Sequence, residues 1–232
     1  MSDEPRPGTR RRFLAGLVSG AVAGAAGLAL WNARKPKPTP EKGHDMNPRL
    51  FSFVGGEAGP WSVLETKVIA GEAIPEVKRL DLVNGPASPL PAGAKWALRG
   101  VTSNERYVTR TEKELLVAKQ QGLGRPEATR AALIPIRKTA QWWALTQDER
   151  RAILEERSKH IQIGLDYLPA VARRLHHCRD LGEGEPFDFL TWFEYAPADA
   201  AGFDELLAKL RASEEWKYVD REIEIRVERA RA

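Results

Sequence analysis

The chain of 232 residues has a single cysteine. One thiol excludes an intrachain disulfide framework and any cysteine-rich zinc or iron–sulfur centre. There is also no phosphate-binding glycine loop, no nucleophile elbow and no HExxH pair, so the chemistries those motifs carry have no local support. Nor is there an excess of basic charge where it would matter. The formal charge is +4, but residues 1–46 hold eight basic and four acidic side chains, which leaves 28 of each in the remainder. The body is formally neutral, and no basic groove for nucleic acid is expected.

What is there begins with a leader. Arg10-Arg11-Arg12-Phe13-Leu14 opens a run without charge from Phe13 to Trp31, rich in Gly and Ala. A positive region followed by a weakly hydrophobic one resembles a twin-arginine export signal over residues 1–33. That implies the twin-arginine export machinery as a partner and the periplasm as destination. A retained membrane-anchoring helix is the alternative, because about 20 apolar residues span a bilayer. No Ala-x-Ala site stands out just before the linker to mark a cleavage point. Residues 34–46, with Lys35-Pro36-Lys37-Pro38-Thr39-Pro40, form an extended Pro/Lys-rich linker.

The body, 47–232, alternates strand-like and helix-like segments. Leu50–Val54, Trp61–Ile69, Arg79–Val83 and Trp96–Thr102 read as strands, and Thr111–Gln121 reads as a helix with Thr109 or Thr111 near its cap. Ala131–Ile136 is an apolar run. Thr146-Gln147-Asp148-Glu149 is a capping box, which predicts one long helix running on to Lys159. Leu165–Leu175 and Phe187–Tyr195 read as a hairpin, Pro197–Ala212 as a helix and Tyr218–Val227 as a closing strand. The second half thus reads β-α-α-β-β-α-β, the order of a ferredoxin-like α+β unit with one added helix. The first half reads as a degenerate copy, and two such sheets packed together give one α+β barrel.

Three histidines and the cysteine fall within residues 160–178. His160 is predicted at the C-terminal end of the long helix, where the bland role is a charged cap and the functional one a haem ligand through neutral imidazole. His176, His177 and Cys178 are expected at the surface near a hairpin end, since neighbouring strand residues point to opposite faces and chelate poorly. Period-2 geometry places Arg173 and Leu175 on one face of the hairpin, and Thr191 and Phe193 together on the partner strand. An arginine on an apolar sheet face either snorkels, pairs with a carboxylate or awaits an anion. Trp142 and Trp143 read equally as core or as a ligand wall.

Together these residues are recognisable. Pro135-Ile136-Arg137-Lys138-x-Ala140-x-Trp142-Trp143, then His160, Leu165-x-Tyr167-Leu168, Arg173-x-Leu175 and Phe189-Leu190-Thr191-x-Phe193-Glu194 resemble the haem b-dependent chlorite dismutase family over roughly residues 95 to 228. The thirteen-residue step from His160 to Arg173, with Thr191-x-Phe193, is the specific part.

The resemblance implies a ferredoxin-like dimeric α+β barrel of two such units per subunit, haem b in the C-terminal half, and a pentamer of subunits. It makes His160 the proximal ligand, Glu215 its carboxylate partner (Glu214, one residue away, is the competing choice) and Lys138 the ion partner of that carboxylate. Arg173, Leu175, Thr191 and Phe193 form the distal side, Trp142 and Tyr107 lie near the haem propionates, and Trp96 packs close to the cofactor. The implied reaction converts chlorite to chloride and dioxygen, with Arg173 retaining hypochlorite. Coprohaem decarboxylases of the same fold typically carry a distal glutamine and act in the cytoplasm, so Arg173 and the leader both point to chlorite. The stretch from Trp143 to His160 is longer than in some members by about one helical turn. A haem peroxidase, a decarboxylase, a non-catalytic haem carrier and a ligand-free interaction barrel are the competing readings.

Overall fold

The computed structural model describes residues 47–102, 106–182 and 184–230. The expected leader and linker lie outside them. Among the described residues no helix is long and apolar enough to cross a membrane.

Four strands come first in the chain: β1 (Leu50–Gly56), β2 (Trp61–Ala70), β3 (Arg79–Asn84) and β4 (Ala94–Val101). After α1 (Arg110–Lys119) come β5 (Arg130–Lys138), α2 (Ala140–Ala144), α3 (Gln147–Arg151) and α4 (His160–Asp166). Then follow β6 (Ala172–His177), β7 (Phe189–Tyr195), α5 (Ala200–Arg211) and β8 (Val219–Arg229). The strands close into one antiparallel barrel in the order β1-β3-β2-β8-β5-β7-β6-β4. Around the ring, β8-β5-β7-β6 and β4-β1-β3-β2 have the same internal order, so both halves are ferredoxin-like sheets as expected. The first half has dropped the helices that would connect its strands.

The apolar run of β5 shows how the layers arise. Ala131 and Leu133 face the barrel interior with Phe53, Trp61, Trp192 and Ile225. Ala132, Ile134 and Ile136 face outward against Phe203, Leu206, Leu207 and Leu210 of α5. A strand buried on both faces needs apolar residues at both parities, which is why it reads as an unbroken run.

Two sequence expectations are corrected here. The long helix is not continuous. Its capping box forms, with the Thr146 N–H donating to Glu149, but α3 passes into a π-helical turn at Ala152–Arg157. Lys159 then adopts a left-handed φ of 57°, and a new helix begins at His160. Likewise Leu165 lies in α4, and β6 starts only at Ala172. Ile161, Leu165 and Leu168 form one buried cluster, which is the three- and four-residue spacing of a helix face, and it overrides the alternation seen from Leu165 onward.

Candidate active site

His160 opens α4, so the expected helix C-cap role is replaced by a position in its first turn. That helix has no side-chain cap of its own. Instead the buried carboxylate of Glu155, held on the π-helical turn, accepts the Ile161 N–H at 2.6 Å and that of Gln162 at 3.4 Å. A negative group at the positive end of a short helix satisfies its orphan donors and fixes its direction. The irregular turn therefore aims the residue that follows it.

Behind His160 stands a buried ion pair. Lys138, at the end of β5, and Glu215, on the short 3-10 turn before β8, meet at 2.8 Å with side chains only 3% and 5% exposed. Glu215 Oε2 lies 2.6 Å from His160 Nδ1. A carboxylate only accepts, so Nδ1 donates and the Nε2 lone pair is left for a metal. The Glu215 backbone N–H is itself held by Ser158 Oγ at 2.9 Å. Burial pushes the Glu215 carboxyl upward, but His160 and Lys138 outweigh it and hold the pKa down at about 2. Of the two sequence candidates, Glu215 meets the histidine, and Glu214 pairs with Arg157 at 3.0 Å.

The opposite wall is the β6–β7 pair. Arg173 lies across from Phe193 and Leu175 from Thr191, so the four residues occupy one patch of sheet. Arg173 has no carboxylate partner among the described residues, and burial lowers its pKa. Its charge persists at any working pH nonetheless. Both walls border one cavity of about 840 Å³, lined also by Ile136, Leu154, Phe189 and Leu207.

Trp142 is buried, with Lys138 Nζ 4.7 Å above its ring and its Nε1 unpartnered among the described residues. Tyr107, at φ 63°, borders the same cavity, and Arg150 joins its hydroxyl to the carbonyls of Trp142 and Trp143. Trp96 lies elsewhere. It packs over Gly55 with its indole donating to the Pro75 carbonyl, and it does not border the cavity.

The histidine pair is corrected too: His176, His177 and Cys178 are buried. His176 meets the rings of Phe51 and Phe53, and His177 that of Phe189. Burial depresses both histidine pKa values to about 4 and pushes the Cys178 thiol up. Because the folded state disfavours the charged form, the stability they supply is complete above about pH 6.5 and is lost as pH falls toward 4. Each contributes about 3 kcal/mol over that window. Denaturant titrations at pH 7 and pH 4.5 check this: a His176→Phe, His177→Phe variant should show a clearly flatter pH dependence than wild type.

Sequence reasoning missed Glu155 and Trp216. The latter stacks on His160 at 6.5 Å between ring centroids and donates from Nε1 to buried Glu222 at 2.7 Å. Its only signal was adjacency to Glu215.

With the geometry in place, the chain can be set beside known proteins. The chlorite dismutase family model matches residues 93–230. A dimeric chlorite dismutase from Nitrobacter winogradskyi is 56% identical, with a TM-score of 0.72 over 78% of this chain and 99% of that one. The curated chlorite dismutase of Ideonella dechloratans is 36% identical over 88 residues, a match spanning 38% of this chain but only 28% of that relative. The chlorite dismutase of Candidatus Nitrospira defluvii, solved with imidazole, shares the fold at 20% identity, with a TM-score of 0.56 over 77% of this chain and 90% of that one. By its matching residues and its fold, the chain belongs to the chlorite dismutase family.

Proposed function

We propose that the protein decomposes chlorite to chloride and dioxygen, using haem b held by His160. The observation that carries this reading is that the carboxylate-bound His160 and the guanidinium of Arg173, without an ion-pair partner among the described residues, share one cavity. The residues present fit haem. Among the described residues no three His, Cys, Asp or Glu side chains group as a ligand set, so a metal taken by His160 Nε2 would come with ligands of its own, as in a prosthetic group. The cavity has the size and apolar walls of a cofactor site.

Held there, haem would supply the redox chemistry of oxygen-atom transfer. The protein's own residues do the rest. Glu215, anchored by Lys138, holds the His160 proton on Nδ1 and raises the basicity of Nε2. Arg173, a persistent cation on the wall opposite His160, would draw in the chlorite anion and retain the hypochlorite formed from it within the cavity. Leu175, Thr191 and Phe193 limit water and side reactions, while Tyr107 and Trp142 lie where the propionates would end.

The assembly we propose is a dimer. The pentamer expectation came from subunit length, whereas the relative described as dimeric matches this chain over nearly its whole length. Export to the periplasm through the twin-arginine route rests on the leader sequence alone.

The test is oxygen evolution, by electrode, from haem-loaded protein given chlorite. Dioxygen released in step with chloride supports the reaction. A histidine-ligated haem spectrum without oxygen keeps His160 as ligand and moves the activity to a peroxidase, a decarboxylase or a carrier.

A further inference from the structure

Away from the cavity, three large apolar side chains stand exposed on one strand. Leu64, Val68 and Ile69 of β2 are 47%, 49% and 39% exposed. That strand also has an open edge. β8 pairs with it from Trp61 to Ala70. On the other side β3 pairs with it only at Trp61 and Ser62, and the Val63 N–H donates to the Lys78 carbonyl just beyond. From Leu64 to Ala70, no strand among the described residues lies on that side. An open strand edge bearing apolar side chains is a template for one more strand.

The sequence of the edge says which strand fits. Leu64-Glu65-Thr66-Lys67-Val68 complements itself when two copies run antiparallel about a two-fold axis at Thr66. Leu64 then stands opposite the partner's Val68 and Glu65 opposite the partner's Lys67, and each pairing occurs twice. A slip of two residues either way would set Glu65 against the partner's Glu65, or Lys67 against the partner's Lys67. Charge therefore fixes the register. The pattern continues inward, because β8 already sets Glu224 across from Lys67 and Arg226 across from Glu65. Four strands would then carry alternating signs: Glu224, Lys67, the partner's Glu65 and the partner's Arg226.

A lysine on a strand edge ordinarily guards it against pairing. Here Glu65 lies 3.0 Å from Lys67 on the same strand, so the guard rejects strands without the matching charges and accepts its own copy. Leu64 and Ile69 are bulged, with no partner in β8, and they bound a regular stretch from Glu65 to Val68.

We propose that the free edge of β2 is the two-fold contact of this protein, occupied by β2 of a second copy of the chain with Thr66 at the axis. This rests on the dimer reading above, and the experiment separates the two.

Sedimentation equilibrium of the full chain reads the assembly, with or without haem. Wild type should be a dimer. Lys67→Glu places like charges opposite each other at both ends of the contact and should raise the dimer dissociation constant about a hundredfold or more. The swapped variant Glu65→Lys, Lys67→Glu restores both pairs and should dimerise again. A separate variant leaves the charges alone. Thr66→Cys puts two thiols at the axis, where opposed α-carbons lie about 4.5–5.5 Å apart, within reach of a disulfide. Mild oxidation should link it into covalent dimers, and the chain's one natural cysteine, Cys178, is buried. A wild-type dimer that Lys67→Glu leaves intact and Thr66→Cys does not cross-link overturns this contact while keeping the dimer. A monomeric or five-membered wild type overturns both, since neither uses a two-fold edge.

Discussion

Replacing Glu215 with alanine leaves the Lys138 ammonium buried without a counter-charge, and the variant should unfold about 3–5 kcal/mol more easily than wild type. The size follows from burial. Both side chains are at most 5% exposed, so water cannot replace the lost partner, and the vacated space adds a cavity cost. Denaturant titration reads the loss as a lower midpoint at unchanged slope. A Lys138→Met, Glu215→Gln double variant should recover much of it, because a neutral filling needs no charge compensation. A second readout separates architecture from chemistry. The double variant keeps its fold but no longer offers His160 a carboxylate, so it should bind haem more weakly, by the ten- to hundredfold typical of outer-shell ligand partners. A midpoint within experimental error of wild type for Glu215→Ala would show the pair to be solvated and the account wrong. The acid limb has the same origin. A carboxyl held at about 2 supplies stability that is complete above its unfolded pKa and disappears as pH falls toward 2.

Arg173→Ala should retain haem and lose chlorite turnover by roughly ten- to hundredfold in kcat/KM, the equivalent of one charge-assisted contact. Arg173 touches neither Glu215 nor Lys138, so the stability of the histidine side should not change. Arg173→Lys should fall between the two, since a point charge survives but the planar donor set does not. Stopped-flow chlorite decay beside an oxygen electrode distinguishes slower binding from escape of hypochlorite. Escape would appear as oxygen yield per chlorite dropping below one. Turnover unchanged in the alanine variant would remove Arg173 from the mechanism.

Much of this site was legible in the sequence, for an identifiable reason. Alternation alone put Arg173 with Leu175 on one face of β6 and Thr191 with Phe193 on one face of β7, while the register that sets them opposite one another came only with the fold. The apolar run Ala131–Ile136 falls within β5, and the helix expected over Pro197–Ala212 brackets α5 with the short 3-10 turn before it. What escaped depended on contacts between distant segments. The π-helical turn has no periodic signature in Ala152–Arg157, and Glu155 looks like one more exposed helix acid until α4 is seen starting above it. His176 and His177 looked superficial because nothing local reveals that β1 and β4, some 75 to 125 residues earlier, wrap around them. Trp96 was placed beside the cofactor by family likeness, and the barrel turned it toward Gly55 instead.

The position of β8 has a bearing on how the molecule is made. It is the last of the eight strands in chain order, yet it stands between β2 and β5 and is the principal join of the two halves. The other join, between β4 and β6, is among the described residues a single residue pair, Val101 with His177. During synthesis, then, β2 waits with one long edge unpaired through more than 150 residues of translation. Lys138 likewise waits for Glu215, which lies just ahead of β8. Ring closure and completion of the histidine's support belong to one late event, so a ribosome stalled before β8 releases an open sheet with its edges exposed to aggregation and no means of holding the cofactor.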